Sequence, residues 1–83
     1  MVFSKHALDK LNLFSLSVDE VIKALNNPVK TCFDALKNSK IYICTIRGKL
    51  YSVVVRQDVV ITLYRTDETK LYSRIRSGRW NCE

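Results

Sequence analysis

The chain has 83 residues, of which 47% are hydrophobic, two are glycine and one is proline. This composition excludes a disordered segment and suits one domain, residues 1–83. Fourteen Lys and Arg against eight Asp and Glu give a net charge of +6. No segment is apolar enough for a signal peptide or a membrane span, which predicts a cytoplasmic protein with no membrane partner.

The first predicted helix covers residues 5–13 and begins after Ser4, a residue type that caps helix starts. Its apolar positions at helical spacing are Ala7, Leu8 and Leu11. The only histidine, His6, falls at the second position of this helix. Because histidine ordinarily titrates nearest neutrality, His6 is the candidate for proton transfer; an ordinary surface residue is the alternative.

The second predicted helix covers residues 18–26. Ser17 and Glu20 form a capping-box pattern at its start, and Pro28 stops it, because the residue before proline avoids the helical region. The positions expected to be buried are Val18, Val21, Ile22 and Leu25. Together with Leu8 and Leu11, these side chains are expected to hold both helices against a sheet.

Four strands are predicted next, over residues 29–35, 41–46, 50–56 and 59–65. Tight turns at residues 47–49 and 57–58 join the last three strands, so the four form an antiparallel meander. The first strand is expected at the edge. The last is the most apolar, and we expect it in the centre of the sheet.

A final short helix begins near Thr66 or Asp67, with Leu71 and Ile75 on one face, and Trp80 is expected to fold back on the core. The predicted fold is α+β. Two N-terminal helices pack on one face of a four-stranded antiparallel sheet, the helices all lie on that face, and a short C-terminal helix closes the chain.

The alternation of side chains along the last two strands separates two faces of the sheet. A two-residue turn at 57–58 pairs Val53 with Thr62 and sets Tyr51 opposite Tyr64. The face expected to meet a ligand carries Tyr51, Val53, Val55, Val60, Thr62 and Tyr64. The face expected under the helices carries Leu50, Ser52, Val54, Arg56, Val59, Ile61, Leu63 and Arg65. The two tyrosines either stack bases or form an ordinary cross-strand pair, and a β-bulge would exchange the faces.

Three cysteines, Cys32, Cys44 and Cys82, show no metal-ligand spacing, and one histidine completes no usual zinc site. We therefore expect no metal and no cofactor. Cys32 and Cys44 are expected to be small buried hydrophobes, and a Cys32–Cys44 bridge is the alternative.

Several motifs resemble the small prokaryotic proteins grouped as domain of unknown function 4258, over roughly residues 3–66. The motifs are His6-Ala7-x-x-Lys10-Leu11, Ser17-x-x-Glu20-Val21-x-x-Ala24-Leu25-x-x-Pro28, Val53-Val54-Val55 and Val60-Ile61-Thr62-Leu63-Tyr64-Arg65. The order of helices and strands also resembles the toxin BrnT and, through it, the RelE-type ribonucleases of toxin–antitoxin pairs. The resemblance implies a RelE-like sheet with helices on one side, a basic open face or groove that holds RNA, and metal-independent cleavage.

Charge and resemblance together indicate RNA or another nucleic acid as the partner. Residues 37–56 carry five basic side chains and residues 70–79 carry four, with no acid in either segment, although basic residues also serve solubility alone. The predicted activity is that of an endoribonuclease, with His6, Tyr64 and Arg65 as catalytic candidates. The predicted nucleic-acid-binding residues are Lys10, Arg47, Lys49, Tyr51, Arg56, Thr62, Lys70, Arg74, Arg76 and Arg79. The alternatives are a non-catalytic nucleic-acid binder or regulator, and an interaction module for an acidic, antitoxin-like protein.

Overall fold

A computed structural model describes residues 1–83 as an α+β fold of three helices and one six-stranded mixed sheet. The elements are β1 (Val2–Phe3), α1 (Lys5–Phe14), α2 (Val18–Leu25), β2 (Lys30–Asp34), β3 (Ser39–Ile46), β4 (Lys49–Arg56), β5 (Val59–Arg65), α3 (Glu68–Arg76) and β6 (Asn81–Cys82). The strand order is β1-β5-β4-β3-β2-β6. None of the helices has the length and apolar character needed to cross a bilayer.

The predicted caps of the first two helices are confirmed. The hydroxyl of Ser4 accepts from the backbone N–H of Ala7 at 3.0 Å and donates to the carbonyl of Ile61 at 2.8 Å, which ties α1 to β5. Ser17 and Glu20 each satisfy the other's backbone N–H at the start of α2. Both helices therefore begin where local side-chain chemistry satisfies the free amides of a first turn.

The four predicted strands are present as β2 to β5, in antiparallel order along the sheet. The prediction of a four-stranded sheet is incomplete, because β1 pairs in parallel with β5 at one edge and β6 pairs with β2 at the other. Strands of two residues are too short to show an alternating pattern. The last predicted strand, β5, is not central, since β4 and β3 occupy the middle of the sheet.

One face of the sheet packs against α1 and α2. Ala7, Leu11 and Val21 from the helices share this core with strand residues such as Val53 and Leu63. The expectation that Leu8, Val18 and Ile22 are buried is wrong, since their exposed fractions are 44%, 37% and 37%. Val18 is the first residue of α2. Leu8 and Ile22 each lie one position after a buried residue, so they turn about 100° away from the sheet towards solvent.

The opposite face packs against α3. Leu71 and Trp80 are buried there with Cys32, Ile41 and Ile43. The prediction that all helices lie on one face is therefore wrong for α3, while Asp67 as its cap and the return of Trp80 to the core are confirmed. This second small core leaves part of the sheet face uncovered beside α3.

A β-bulge at Ile61 sets which β5 side chains reach that uncovered face. Val55 pairs with Val60 but Val54 pairs with Thr62, so Ile61 has no partner across the strands. The predicted pairing of Val53 with Thr62 is wrong, and the two predicted faces are recombined. The side chains on the α3 face are Leu50, Ser52, Val54 and Arg56 with Thr62 and Tyr64, while Tyr51, Val53, Val55, Val60 and Leu63 lie in the core under α1 and α2.

The cysteines also separate by face. Cys32 forms a disulfide with Cys82 and so joins β2 to β6, whereas Cys44 is free and lies in the core under α1 and α2. The Cys32–Cys44 alternative is wrong, because the two side chains lie on opposite faces of the sheet. Burial raises the pKa of the Cys44 thiol to about 11, so Cys44 behaves as a small hydrophobe, as expected.

Candidate arginine cleft

A cleft of about 430 Å³ opens on the uncovered part of the α3 face. Its residues come from the ends of β2 and β4, the start of β3, the bulged part of β5, and α3 with the segment that follows it. They are Asp34, Lys37, Ser39, Ile41, Val54, Arg56, Ile61, Thr62, Tyr64, Arg74, Arg79 and Trp80. We call this the arginine cleft, after Arg56, Arg74 and Arg79.

Arg56, the last residue of β4, is held by neutral acceptors. Its Nε and Nη2 atoms donate to the hydroxyl of Ser39 at 3.3 and 3.2 Å, and Nη2 also donates to the carbonyl of Lys37 at 3.0 Å. These bonds fix the guanidinium at the cleft without a carboxylate, so its positive charge is not neutralised locally.

Arg74 reaches the cleft from α3 and lies over the indole of Trp80, with its guanidinium carbon 4.9 Å from the ring centroid. This cation–π contact positions the side chain against a buried ring and again leaves the charge without an acidic partner. The only ion pairs in the structure join Arg47 to Glu20 and Arg79 to Asp34.

Asp34 anchors the part of the cleft wall formed by Arg79 and Trp80. The residue is 3% exposed, and its carboxylate accepts from the backbone N–H of Lys37, the indole N–H of Trp80 and Nε of Arg79, at 3.2, 3.3 and 3.4 Å. Burial opposes its ionisation, but the backbone bond from Lys37, the indole bond and the charge of Arg79 outweigh burial and lower the pKa of Asp34. Three Arg and one Lys against one ionised carboxylate leave the cleft with a net charge of +3.

Two hydroxyl-bearing side chains of β5, Thr62 and Tyr64, line the cleft together with Arg56 and Arg74. Both are half-buried. They reach this face because the bulge at Ile61 shifts the alternation of β5 by one residue. The cleft therefore combines fixed guanidinium donors with neutral hydroxyls, the donor set that binds phosphate oxygens.

The structure brings together five of the sequence-predicted site residues in this cleft. They are Arg56, Thr62, Tyr64, Arg74 and Arg79. Lys70 and Arg65 line an adjoining groove. Sequence reasoning missed Asp34, Lys37, Ser39 and Trp80 as cleft residues; Lys37 opens the acid-free run 37–56, and that run is the one signal that pointed to it.

The predicted catalytic trio does not assemble. His6 is exposed on α1, the helix that packs on the other face, and does not line the cleft. The guanidinium of Arg65 lies 5.7 Å from the ring centroid of Tyr51, which is buried in the core under α1 and α2. Arg56 and Arg65, predicted to share a face, therefore lie on opposite faces.

The remaining predicted nucleic-acid-binding residues lie outside the cleft. Tyr51 is 5% exposed and packs edge-to-face on Phe14, so its ring is not available to stack a base. Arg47 forms a bidentate salt bridge with Glu20, and the hydrogen bonds to this carboxylate raise the pKa of Arg47. Lys10, Lys49 and Arg76 lie on α1, at the start of β4 and at the end of α3.

Comparison of the chain with models of protein families, with curated proteins and with solved structures finds no match. The geometry and charge of the arginine cleft are therefore the basis for assigning a function.

Proposed function

We propose that this protein binds RNA in the arginine cleft. The observation that carries the proposal is the pair Arg56 and Arg74, which are positioned by neutral groups and keep their charge free at one cavity. A guanidinium presents paired N–H donors that match two phosphate oxygens, so two fixed guanidiniums form a phosphate clamp. A cavity of about 430 Å³ also falls within the size range of small-ligand sites, large enough for a nucleotide.

The layout of the molecule supports RNA over a small anionic metabolite. The cleft is open to solvent, and the basic segments 37–56 and 70–79 both contribute to it. A RelE-like arrangement has two helices behind the sheet and a basic groove on the open face. The resemblance seen in the sequence implies this arrangement, and the position of the cleft opposite α1 and α2 is in keeping with it.

Cleavage of the bound RNA without a metal is the second candidate function, favoured by the presence of Tyr64 in the same cavity as Arg56 and Arg74. The 2′-oxygen of the ribose attacks the adjacent phosphorus and its proton passes to water. Arg56 and Arg74 stabilise the added negative charge on the phosphate, and Tyr64 protonates the leaving 5′-oxygen. This assignment moves the proton-transfer role from His6, which lies on the other side of the sheet, to Tyr64.

Binding is tested by titrating a fluorescent RNA with the parent protein and with Arg56→Ala, Arg74→Ala and Arg76→Ala. Arg76 is on the same helix as Arg74 but outside the cleft. We expect each cleft substitution to weaken binding by about tenfold and to reduce the salt slope by about one unit, because one phosphate contact is lost. If Arg74→Ala and Arg76→Ala lose the same small amount of RNA affinity, the RNA binds outside the cleft. Binding that does not change with salt would favour a protein partner.

Cleavage is tested with end-labelled RNA in the presence of EDTA. Tyr64→Phe keeps the ring and removes only the hydroxyl, so we expect it to slow cleavage by about 10²–10⁴ while RNA affinity is retained. His6→Ala should cleave as the parent does. Loss of cleavage in His6→Ala, with full activity in Tyr64→Phe, would return the role to the histidine.

A further inference from the structure

A second cavity continues the arginine cleft along α3. This groove, of about 510 Å³, lies between the end of β5 and α3 and shares Tyr64 and Arg74 with the cleft. Its other lining residues include Thr69, Lys70 and Ser73 of α3, and none of its lining residues is acidic. Arg65 also lines it, although its guanidinium lies over Tyr51 on the opposite face. The two cavities therefore form one continuous basic track on the surface.

The spacing along α3 arranges the donors of the groove. Thr69 and Ser73 are four residues apart, as are Lys70 and Arg74, so each pair lies on the same side of the helix about 6 Å apart along its axis. Two acids lie at the start of this helix: the cap Asp67, which accepts from the backbone N–H of Lys70 at 2.8 Å, and Glu68 in the first turn, and neither lines the groove. Lys70 has no ion-pair partner, so a cation and two hydroxyls face the groove together.

We propose that this groove is a second phosphate subsite and that an unpaired nucleic-acid strand runs from the arginine cleft past Tyr64 into it. The inference rests on the proposed function and extends it from one bound phosphate to at least two successive ones. The strand is unpaired because Tyr64, which lines both cavities, is half-buried where they meet. A base contacts such a half-buried side chain only when it has left a paired stack.

The two subsites make different demands on ligand length. A nucleoside monophosphate carries one phosphate, which the clamp of Arg56 and Arg74 holds, so it has no second phosphate for Lys70. A longer strand contacts both cavities. Substituting Lys70 should therefore weaken the binding of long ligands only, whereas substituting Arg56 should weaken the binding of ligands of every length.

The experiment compares uridine 5′-monophosphate with a 2′-O-methyl hexauridylate, which resists cleavage, against the parent, Lys70→Ala, Arg56→Ala and Lys23→Ala. Lys23 is exposed on α2, on the other face, and serves as the matched lysine control. We expect Lys70→Ala to weaken hexamer binding by about tenfold and to leave mononucleotide binding unchanged. Arg56→Ala should weaken both, and Lys23→Ala neither.

Three outcomes would overturn the second subsite. If Lys70→Ala and Lys23→Ala bind the hexamer with equal affinity, the groove does not contact the strand. An equal loss on both ligands would show a single site. Parent affinity for a duplex equal to that for the single-stranded hexamer would exclude an unpaired strand. Failure of the parent to bind either ligand would instead overturn the proposed function, so the two failures are distinguishable.

Discussion

Replacing Asp34 should release the wall of the arginine cleft and lower the stability of the whole domain. The carboxylate joins β2 to the segment 77–83 through Trp80 and Arg79, and to the following turn through the backbone of Lys37. Asp34→Ala removes the acceptor for all three donors. Asp34→Asn keeps the shape but replaces one oxygen by an N–H₂ group, which faces a donor.

The size of the loss follows from the exposure of each partner. The indole of Trp80 is buried and its bond contributes about 1–1.5 kcal/mol, while the backbone bond from Lys37 contributes about 1 kcal/mol. The side chain of Arg79 is 34% exposed, so solvent screening reduces its share to well below 1 kcal/mol. We expect a loss of about 2–3 kcal/mol for Asp34→Ala and about 2 kcal/mol for Asp34→Asn, within the total stability of a small domain.

Urea melts followed by the fluorescence of Trp80, the only tryptophan, measure both effects at pH 7. Because folding lowers the pKa of Asp34, its stabilisation is fully present above the ordinary carboxyl pKa of about 3.9. It is lost as the pH falls through the lower pKa of the folded state. The difference in free energy of unfolding between the parent and Asp34→Asn should therefore shrink as the pH falls. A loss below 0.5 kcal/mol, or one equal to that of the exposed control Asp9→Asn, would refute the anchoring role.

Other predictions follow from the two cores and the cysteines. Substituting both Cys32 and Cys82 by alanine removes a disulfide between residues 50 positions apart in sequence. It should lower the free energy of unfolding measured in urea melts by about 2–4 kcal/mol, and a reductant should lower that of the parent equally. Ser52→Ala removes a fully buried hydroxyl that has no hydrogen-bond partner and should be neutral or stabilising by about 1 kcal/mol. Leu63→Ala should cost about 2–5 kcal/mol, and a loss below 1 kcal/mol would contradict the bulged register. Cys44, whose pKa is raised to about 11, should resist alkylation at pH 8 until the protein is unfolded.

The elements of this fold were predictable because their signals are local. Ser17 and Glu20 satisfy each other's backbone within one helical turn, and Asp67 caps α3 in the same manner. The turn at residues 57–58 carries its own signal too, since the polar pair adopts the positive φ values of 51° and 64° that a two-residue hairpin turn requires. The edge strands β1 and β6 were missed because two residues carry no periodic pattern.

The candidate site was harder to predict, because one bulged residue decides which β5 side chains reach the cleft. Hydrophobic alternation places Thr62 and Tyr64 on a common face, but the bulge at Ile61 decides which β4 side chains they join. Without the bulge they share a face with Tyr51 in the core.

With the bulge, Thr62 and Tyr64 join Arg56, and α3 then closes the same face by bringing Arg74 beside them. A bulge leaves no compositional trace in a run as apolar as Val59–Arg65. The arginines were therefore visible in the sequence as charge, whereas their convergence on one cleft follows from the packing of α3 on the face that carries Arg56, to which the bulge adds Thr62 and Tyr64.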